Sequence, residues 1–452
     1  MLYMLFGLLL VVSLRLISPT TANLSYVALA LLALFSIRMA IIALALSWLF
    51  TMINPGLAPE ASFATAGRFL VVFAAACSVF VRSSVFKKPR FDRMVIYVTL
   101  FGLFVVLHSL FFSTITTVSL LRILIWTVAF LTLFSAWSSL DELGRKQLGH
   151  FIYFGLVLLA VLSVPLIFSA LGYLRNERGL QGVLNHPQAF GSAMGLLAAW
   201  AAARILHSQR LAVMDGLVFI LAVILVLLSE ARTGGLAMIL GITSAMLSIR
   251  VFQSQPLHRL FPILRNRIVP LLVILILTGL VVFAPQINSI TDKFITKSGR
   301  ADVADVVAAF ERSRGVLYEP MLENIRAQPW IGIGWGIGSD PWAMRIETDP
   351  IFGLPIGAPI EKGVMPVAVL EELGVVGLLI FVLLILFFLR TASKGGIVPL
   401  ALLLTVLFIN LGEATLFSPG GMGMLQLLLL TYALGLGSTA KKHRKLNMHT
   451  AG

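Results

Sequence analysis

The chain has 452 residues, of which 59% are hydrophobic and only 12% are charged. Soluble domains carry about 25% charged residues, so a soluble fold is excluded because it could not bury this much apolar surface. The net charge of +14 does not by itself indicate a nucleic-acid partner, since Lys and Arg also collect in the short cytoplasmic loops of membrane proteins. The composition therefore predicts an integral membrane protein that does not bind nucleic acid.

Thirteen apolar segments follow one another, most of them close to the ~20 residues that a helix needs to cross a bilayer. They cover 2–18, 24–53, 65–82, 93–111, 117–138, 148–172, 187–206, 211–229, 232–249, 268–285, 363–389, 396–412 and 418–437. The first lacks a basic n-region and is expected to be a retained helix. The second carries Arg38 near its middle, so it forms either one tilted helix or two short helices that meet at Ser36–Arg38. The fold class predicted is an all-α polytopic membrane protein with 12 to 14 transmembrane helices.

Basic residues between the apolar segments predict the orientation of the chain. The clusters are Arg82 to Arg93, Arg145 with Lys146, Arg204 with Arg210, Arg250 to Arg267, Arg390 with Lys394, and Lys441 to Lys445. Counting apolar segments between clusters places all of them on one side, which the positive-inside rule identifies as the cytoplasm. Segment 286–362 then forms one large extracytoplasmic loop, and its eight basic and ten acidic residues make it slightly acidic in a basic protein.

The chain therefore divides into N-terminal transmembrane helices 1–285, the large loop 286–362, C-terminal transmembrane helices 363–437 and a basic cytoplasmic tail 438–452. Apolar residues recur at helical spacing from Val303 to Ile325 and predict an amphipathic helix near 301–327 that lies on the membrane domain or in the interface. Pro329 is expected to end this helix. The stretch from Asp349 to Pro366 is rich in Pro and Gly and is expected to be irregular.

Many polar residues fall near the outer membrane boundary on this topology. They are Arg122, Arg178, His186, Glu230, Arg232, Arg312, Arg314, Glu361, Lys362, Glu371, Glu372 and Glu413. These residues also have a structural interpretation. In it, Arg122, Glu371, Glu372 and Glu413 are structural partners of other buried groups, and Arg232 pairs with Glu230 at a helix end. His186 caps backbone groups, and Arg312 or Arg314 snorkels from the amphipathic helix. The functional interpretation is an outward-facing cavity for an anionic group, because guanidinium offers a fixed fork of donors that suits a diphosphate. Nucleotide-binding motifs and metal-ligand spacing are absent from the sequence.

Four local patterns resemble the O-antigen ligase and polymerase family of bacterial membrane glycosyltransferases. They are the Arg…Gly…His-Pro…Gly stretch from Arg178 to Gly191, the Ser-x-x-Arg-Thr-Gly turn from Ser229 to Gly235, Ser313-Arg314 with Pro329 to Gly336, and Glu372-Leu373-Gly374 within Leu370 to Gly377. The resemblance covers roughly residues 175–380. Each motif is short, so their order and the large loop carry the resemblance.

The resemblance implies a helical membrane glycosyltransferase fold in the bacterial inner membrane, with the active site facing the periplasm. It implies a polyprenyl-diphosphate-linked glycan as donor and a sugar or a lipid-anchored acceptor, with membrane lipids around the protein and no metal or other cofactor. The residues assigned to catalysis are Arg232 and Arg314 at the diphosphate and Glu361 as base. Those assigned to substrate binding are Arg178, His186, Glu230, Arg312, Lys362 and Glu372.

One departure from the family pattern leaves the reaction open. Ligases of this family carry a catalytic His late in the loop, near the position of Gly363, but this chain has no His between His258 and His443. Either the chain is a polymerase-type member, which we favour, or Glu361 or Lys362 substitutes for the missing His. The alternative from another class is a secondary transporter or lipid-linked glycan flippase, although no inverted repeat supports it. A third alternative is a non-catalytic assembly partner.

Overall fold

The computed structural model describes residues 2–83, 92–210, 212–253, 256–266, 306–348, 355–357 and 362–449. Among these residues, eight helices are long and apolar enough to cross a membrane, and five further apolar helices are shorter. The chain is an all-α polytopic membrane protein, as its composition predicts. The predicted span 268–285, the beginning of the large loop and Glu361 lie outside the described residues.

The helices follow the apolar segments closely. They are α1 (Leu2–Ile17), α2 (Pro19–Phe35), α3 (Ile37–Met52), α4 (Ala64–Arg82), α5 (Arg93–Phe112), α6 (Thr116–Ser139), α7 (Glu142–Ser163), α8 (Pro187–His207), α9 (Val213–Leu228), α10 (Arg232–Phe252), α11 (Leu257–Leu260), α12 (Val306–Ala327), α13 (Met365–Ala392), α14 (Ile397–Ile409) and α15 (Met422–His449). Short 3₁₀ turns cover Pro165–Phe168, Ala170–Tyr173, Pro262–Arg265 and Ser393–Gly395. Two short strands, β1 (Glu347–Thr348) and β2 (Pro355–Gly357), pair antiparallel within the stretch between α12 and α13.

The second apolar segment forms two helices, which decides between the two arrangements that its sequence allows. Ser36 has an extended backbone between α2 and α3, and its hydroxyl accepts a hydrogen bond from the Met39 N–H at 3.2 Å. Such an N-cap satisfies one of the unpaired donors at a helix start. Arg38 lies 3.6 Å from Asp141, at the start of α7. The charge in the middle of this segment therefore marks a turn at one end of the bundle.

Successive long helices run in alternate directions from α1 to α10 and again from α13 to α15, which gives the bundle two distinct ends. We call the end at which α4, α6, α8, α10 and α13 begin the loop end, and the opposite one the basic end. At the basic end, Arg204 pairs with Asp215 at 3.0 Å, and the Gln253 side chain donates a hydrogen bond to the Ser393 carbonyl. Large aromatic side chains such as Trp126 and Trp137 of α6 are fully buried in the centre. The described members of the basic clusters, among them Arg82, Arg145, Arg204, Arg250 and Arg390, lie at the basic end, which agrees with the pattern in the sequence.

The amphipathic helix predicted near 301–327 is observed as α12, and it ends at Ala327, just before Pro329. Helix α12 packs against α13 and contributes the buried side chain of Met321. The chain then passes through Gly332–Gly336 along the first turns of α13. The segment from Asp349 to Pro366, predicted to be irregular, contains β2 and the start of α13 in its described part.

Candidate functional site

A polar cavity of about 420 Å³ opens at the loop end of the bundle. We call it the first cavity. The beginnings of α4, α6 and α13 form its walls, together with the chain around Trp335–Gly336 and the loop between α14 and α15. Its polar lining residues are Thr65, Arg68, Arg122, Glu347, Lys362, Glu372, Thr415 and Ser418. A cleft with a few convergent polar groups among apolar ones is the usual form of a small-molecule site.

Two guanidinium groups face the first cavity from different helices. Arg68 lies one turn into α4 and Arg122 lies two turns into α6. Both are partly buried and near enough to each other for mutual repulsion, while Glu347 attracts Arg68 and Glu372 attracts Arg122. Two like charges held together in a partly buried site favour the binding of an anion between them.

Lys362 and two glutamates form a buried ionic cluster beside the first cavity. The ammonium of Lys362 lies 2.7 Å from Glu371 Oε2 and 3.0 Å from Glu372 Oε1. The exposed fractions of Lys362, Glu371 and Glu372 are 4%, 0% and 8%. Asn324 Nδ2 of α12 donates to Glu371 Oε1 at 2.8 Å. Because its ammonium contacts both carboxylates, Lys362 joins the residues just before α13 to the second turn of this helix.

Backbone contacts join the Gly332–Gly336 segment to the start of α13. The N–H groups of Ile333 and Gly334 donate to the carbonyls of Glu371 and Glu372, each at 3.0 Å. The Gly336 N–H donates to Glu372 Oε2 at 2.7 Å. Both oxygens of the Glu372 side chain are therefore engaged, one by this N–H and one by Lys362. These bonds place the segment as one wall of the first cavity.

Helix α13 can accept these contacts because it is interrupted at Gly374. This residue has φ 66° and ψ −171°, a conformation that only glycine adopts readily. A Cβ at this position would stand 2.1 Å from the Trp330 carbonyl oxygen. The Val375 N–H beyond the interruption donates to the Pro329 carbonyl at 2.9 Å. The glycine in the Glu-Leu-Gly pattern thus permits close backbone approach.

Aromatic side chains close the first cavity on the side of the bundle centre. Trp335 packs edge-on against Phe417 and Phe101, with ring centroids 4.6 Å and 6.0 Å away. Trp126 Nε1 donates to the Leu416 carbonyl at 3.0 Å. This apolar floor separates the charged groups from the helix core, which strengthens electrostatic interactions within the cavity.

The other two sequence motifs also meet each other at the loop end. The Leu180 N–H donates to the Leu228 carbonyl at 2.9 Å, and a Cβ at Gly191 would stand 2.2 Å from Ala231 Cβ. His186 caps α8, because its Nδ1 accepts a hydrogen bond from the Gln188 N–H at 3.1 Å. The structural interpretation of His186 as a backbone cap is therefore observed, and the same residue borders a second cavity.

The predicted site residues are distributed unevenly over these features. Lys362 and Glu372 line the first cavity, and His186 lines the second. Arg178 is exposed on its loop, Glu230 has φ 51° in the turn before α10, and Arg232 begins α10; within the described residues, none of the three lines either cavity. Arg312 and Arg314 lie on α12, where their side chains are outside the described part of the structure, as is Glu361. Their roles remain predictions.

Sequence reasoning missed Arg68 and treated Arg122 only as a polar residue in need of a partner. The available signal was position: each arginine stands near the start of an apolar segment, at the end predicted to face outward. Charges at such depth face a cavity or a partner. Among the described residues, no group of three or more His, Cys, Asp or Glu side chains is placed to hold a metal ion.

Comparison with models of known protein families finds no match. Comparison with curated proteins finds none either.

Proposed function

We propose that this chain is a membrane glycosyltransferase that uses a polyprenyl-diphosphate-linked glycan and acts at the outer face of the bacterial inner membrane. The observation that carries the proposal is the first cavity, in which Arg68 and Arg122 converge at one end of an apolar helical bundle. A polyprenyl diphosphate needs both the apolar bundle and the two arginines, because its polyprenyl tail requires apolar surroundings and its phosphates require cations. The four sequence motifs resembling O-antigen ligases and polymerases support the same assignment.

In this proposal, Arg68 and Arg122 bind the diphosphate from two sides. Guanidinium forms two parallel hydrogen bonds to phosphate oxygens, which an ammonium cannot do. Arg232 and Arg314, assigned to the diphosphate from sequence, remain predicted contributors. Lys362 acts on the site by holding Glu372 and the Gly332–Gly336 segment in place.

The reaction joins an acceptor sugar hydroxyl to the anomeric carbon of the donor. The hydroxyl oxygen forms the new bond, the bond from that carbon to the diphosphate oxygen breaks, and the electron pair leaves with the diphosphate. Positive charge aimed at the leaving group lowers the barrier. The proton of the hydroxyl passes to a carboxylate, and Glu347 is the exposed carboxylate that lines the first cavity. Glu361 is the other candidate base.

Polymerisation is favoured over ligation, because the chain lacks the loop His of the ligases. A polymerase lengthens the glycan while it is carried on the polyprenyl lipid. A ligase would instead transfer the finished chain to a lipid-anchored acceptor. The two reactions share the donor diphosphate, so the first cavity serves either.

A secondary transporter or lipid-linked glycan flippase is the second candidate. One observation favours it: α13 is interrupted at Gly374 beside the buried ions of Lys362, Glu371 and Glu372. Broken helices with ionisable groups at the break form substrate and ion sites in transporters. In the glycosyltransferase proposal, the same break serves only to admit the Gly332–Gly336 segment.

Turnover of a lipid-linked donor by the purified chain distinguishes these functions. The protein is placed in lipid nanodiscs with a radiolabelled donor glycan lipid from the source strain. A polymerase releases polyprenyl diphosphate and yields longer lipid-linked glycans, whereas a ligase consumes donor only when the lipid-anchored acceptor is added. In sealed vesicles, a flippase moves the donor between leaflets without breaking it. Movement without breakdown, or neither activity, would refute the glycosyltransferase proposal.

A further inference from the structure

A second and larger cavity, of about 820 Å³, lies across the first turn of α4 from the first cavity. Ala64 borders the second cavity, while the next residue, Thr65, borders the first. The remaining walls come from the ends of α1 and α3, the stretch between α3 and α4, and the loop before α8. The two cavities therefore open side by side at the loop end of the bundle.

Two amide side chains in the wall of the second cavity are incompletely satisfied. Gln181 is fully buried, and its Oε1 accepts a hydrogen bond from the Arg175 N–H at 2.8 Å. Its Nε2 donor has no hydrogen-bond partner among the described residues, and neither has the Oδ1 acceptor of Asn185. A buried polar atom without a partner is costly, and such atoms commonly face a ligand or ordered water. One donor and one acceptor in the same wall thus lack a hydrogen-bond partner among the described residues.

The charges around the second cavity do not select a phosphate. The guanidinium of Arg15 is already engaged by backbone carbonyls, at 2.6 Å from Pro59 O and 3.1 Å from Phe50 O. The exposed side chains of Arg175 and Glu60 carry opposite charges. This balance differs from the first cavity, where two guanidinium groups converge.

We infer that the second cavity binds neutral, hydroxyl-rich sugar residues. Sugar hydroxyls donate and accept hydrogen bonds, so they suit both the unpartnered donor Gln181 Nε2 and the unpartnered acceptor Asn185 Oδ1. Leu174, which is 46% exposed, offers apolar surface to the C–H face of a sugar ring. The identification of these sugars as part of the acceptor glycan rests on the proposed function; the binding of sugar itself does not.

A photo-crosslinker placed in the second cavity tests what occupies it in cells. Benzoylphenylalanine replaces Ser62, an exposed residue that lines the cavity, and separately Leu24, an apolar residue of α2 that is 52% exposed. After irradiation, the purified protein is hydrolysed and analysed for monosaccharides and fatty acids. We expect sugar from position 62 and phospholipid from position 24. Phospholipid alone at position 62, no adduct there, or equal sugar at both positions would overturn the inference.

Substitutions in the cavity wall connect the sugar adduct to the amides. Gln181→Leu removes the free donor and should lower the sugar yield about ten-fold, as expected for a lost hydrogen bond with its partner left unsatisfied. Gln188→Leu, on α8 outside the cavity lining, should leave the yield unchanged. Ala61→Trp fills the cavity from its rim, so it carries the same test if Gln181→Leu does not fold. Unchanged yield in folded Gln181→Leu and Ala61→Trp would contradict the assignment.

The same experiment in an Arg122→Lys background separates this inference from the proposed function. If the Arg122→Lys chain has no transfer activity but still yields sugar at position 62, the sugar site stands. If the unaltered chain is inactive as well, the glycosyltransferase assignment is refuted while the sugar site remains. If the unaltered chain transfers glycan but yields no sugar at position 62, only the inference that the second cavity binds sugar is refuted.

Discussion

At the scale of single residues, the arginines and the lysine of the first cavity have different surroundings. Lys362 is buried and contacts two carboxylates, so little of its charge is available to a ligand. Arg68 and Arg122 line the open space and are only partly buried. We therefore expect the replacement of Lys362 to lower the stability of the protein, and the replacement of Arg68 or Arg122 to lower its turnover.

Replacing Lys362 by Met should destabilise the protein strongly. The change leaves Glu371 and Glu372 side by side in a buried environment without their cation, and breaking a buried ion pair in this way costs about 3–5 kcal/mol. Thermal unfolding in detergent measures the loss. Lys146→Met is the matched control, since Lys146 pairs with Glu142 at 2.7 Å on an exposed surface, where such pairs contribute little. Equal stability of the two variants would contradict the buried cluster.

Replacing Arg122 by Lys should lower glycan transfer about 10²–10³-fold at matched protein level, by analogy with the loss of one donor to a developing negative charge. Lysine keeps the charge but loses the fork of donors. Arg68→Lys should behave similarly. Arg250→Lys, exposed in the last turn of α10 at the basic end, is the control and should retain full turnover. Near-normal turnover in both Arg68→Lys and Arg122→Lys would show that the first cavity does not bind the diphosphate.

At the scale of elements, the interruption of α13 joins the loop to the membrane bundle. In a continuous helix, the carbonyls of Glu371 and Glu372 would accept hydrogen bonds from the N–H groups of the following turn. With Gly374 in an extended positive-φ conformation, the carbonyls of Glu371 and Glu372 accept hydrogen bonds from the Gly332–Gly336 segment instead. The wall of the first cavity thus depends on one residue without a side chain.

Replacing Gly374 by Ala should detach the Gly332–Gly336 segment from α13. The added Cβ meets the Trp330 carbonyl, and the backbone conformation itself costs about 1–3 kcal/mol for a residue other than glycine. Trypsin should then cut faster after Arg326 and Arg345, on either side of this segment. Gly155→Ala is the matched control, because a Cβ at Gly155 of α7 meets nothing within 4 Å. Identical cleavage rates in the two variants would show that the contact does not hold the segment.

At the scale of the whole molecule, the orientation of the bundle decides which compartment the two cavities face. The loop end should face outward, because the described members of the basic clusters lie at the opposite end. In a chain whose Cys77 is replaced by Ser, a cysteine at Ser339 should react with an impermeant thiol reagent in intact cells. A cysteine at Gln209, exposed between α8 and α9, should react only after lysis. The reverse pattern would place the cavities in the cytoplasm.

The sequence alone determined the class of the protein and the position of most of its helices. A bilayer demands blocks of about 20 apolar residues, and this demand is local, so it can be read from consecutive residues. Helix caps are local too. Asp92 and Asp141 stand just before α5 and α7, where Asp92 Oδ1 accepts a hydrogen bond from the Met94 N–H and Asp141 Oδ1 accepts one from the Gly144 N–H. The end of α12 before Pro329 follows from the same kind of short-range rule.

Only the tertiary structure decided which polar residues meet. Arg68, Arg122 and Lys362 come from distant parts of the chain, and no periodicity relates their positions. Sequence reasoning assigned Lys362 to the substrate and did not consider Arg68, whereas the packed bundle engages Lys362 with Glu371 and Glu372 and turns Arg68 towards the first cavity. Helix boundaries depend on neighbours in sequence, but a site depends on how helices pack, and packing is set by side chains hundreds of residues apart.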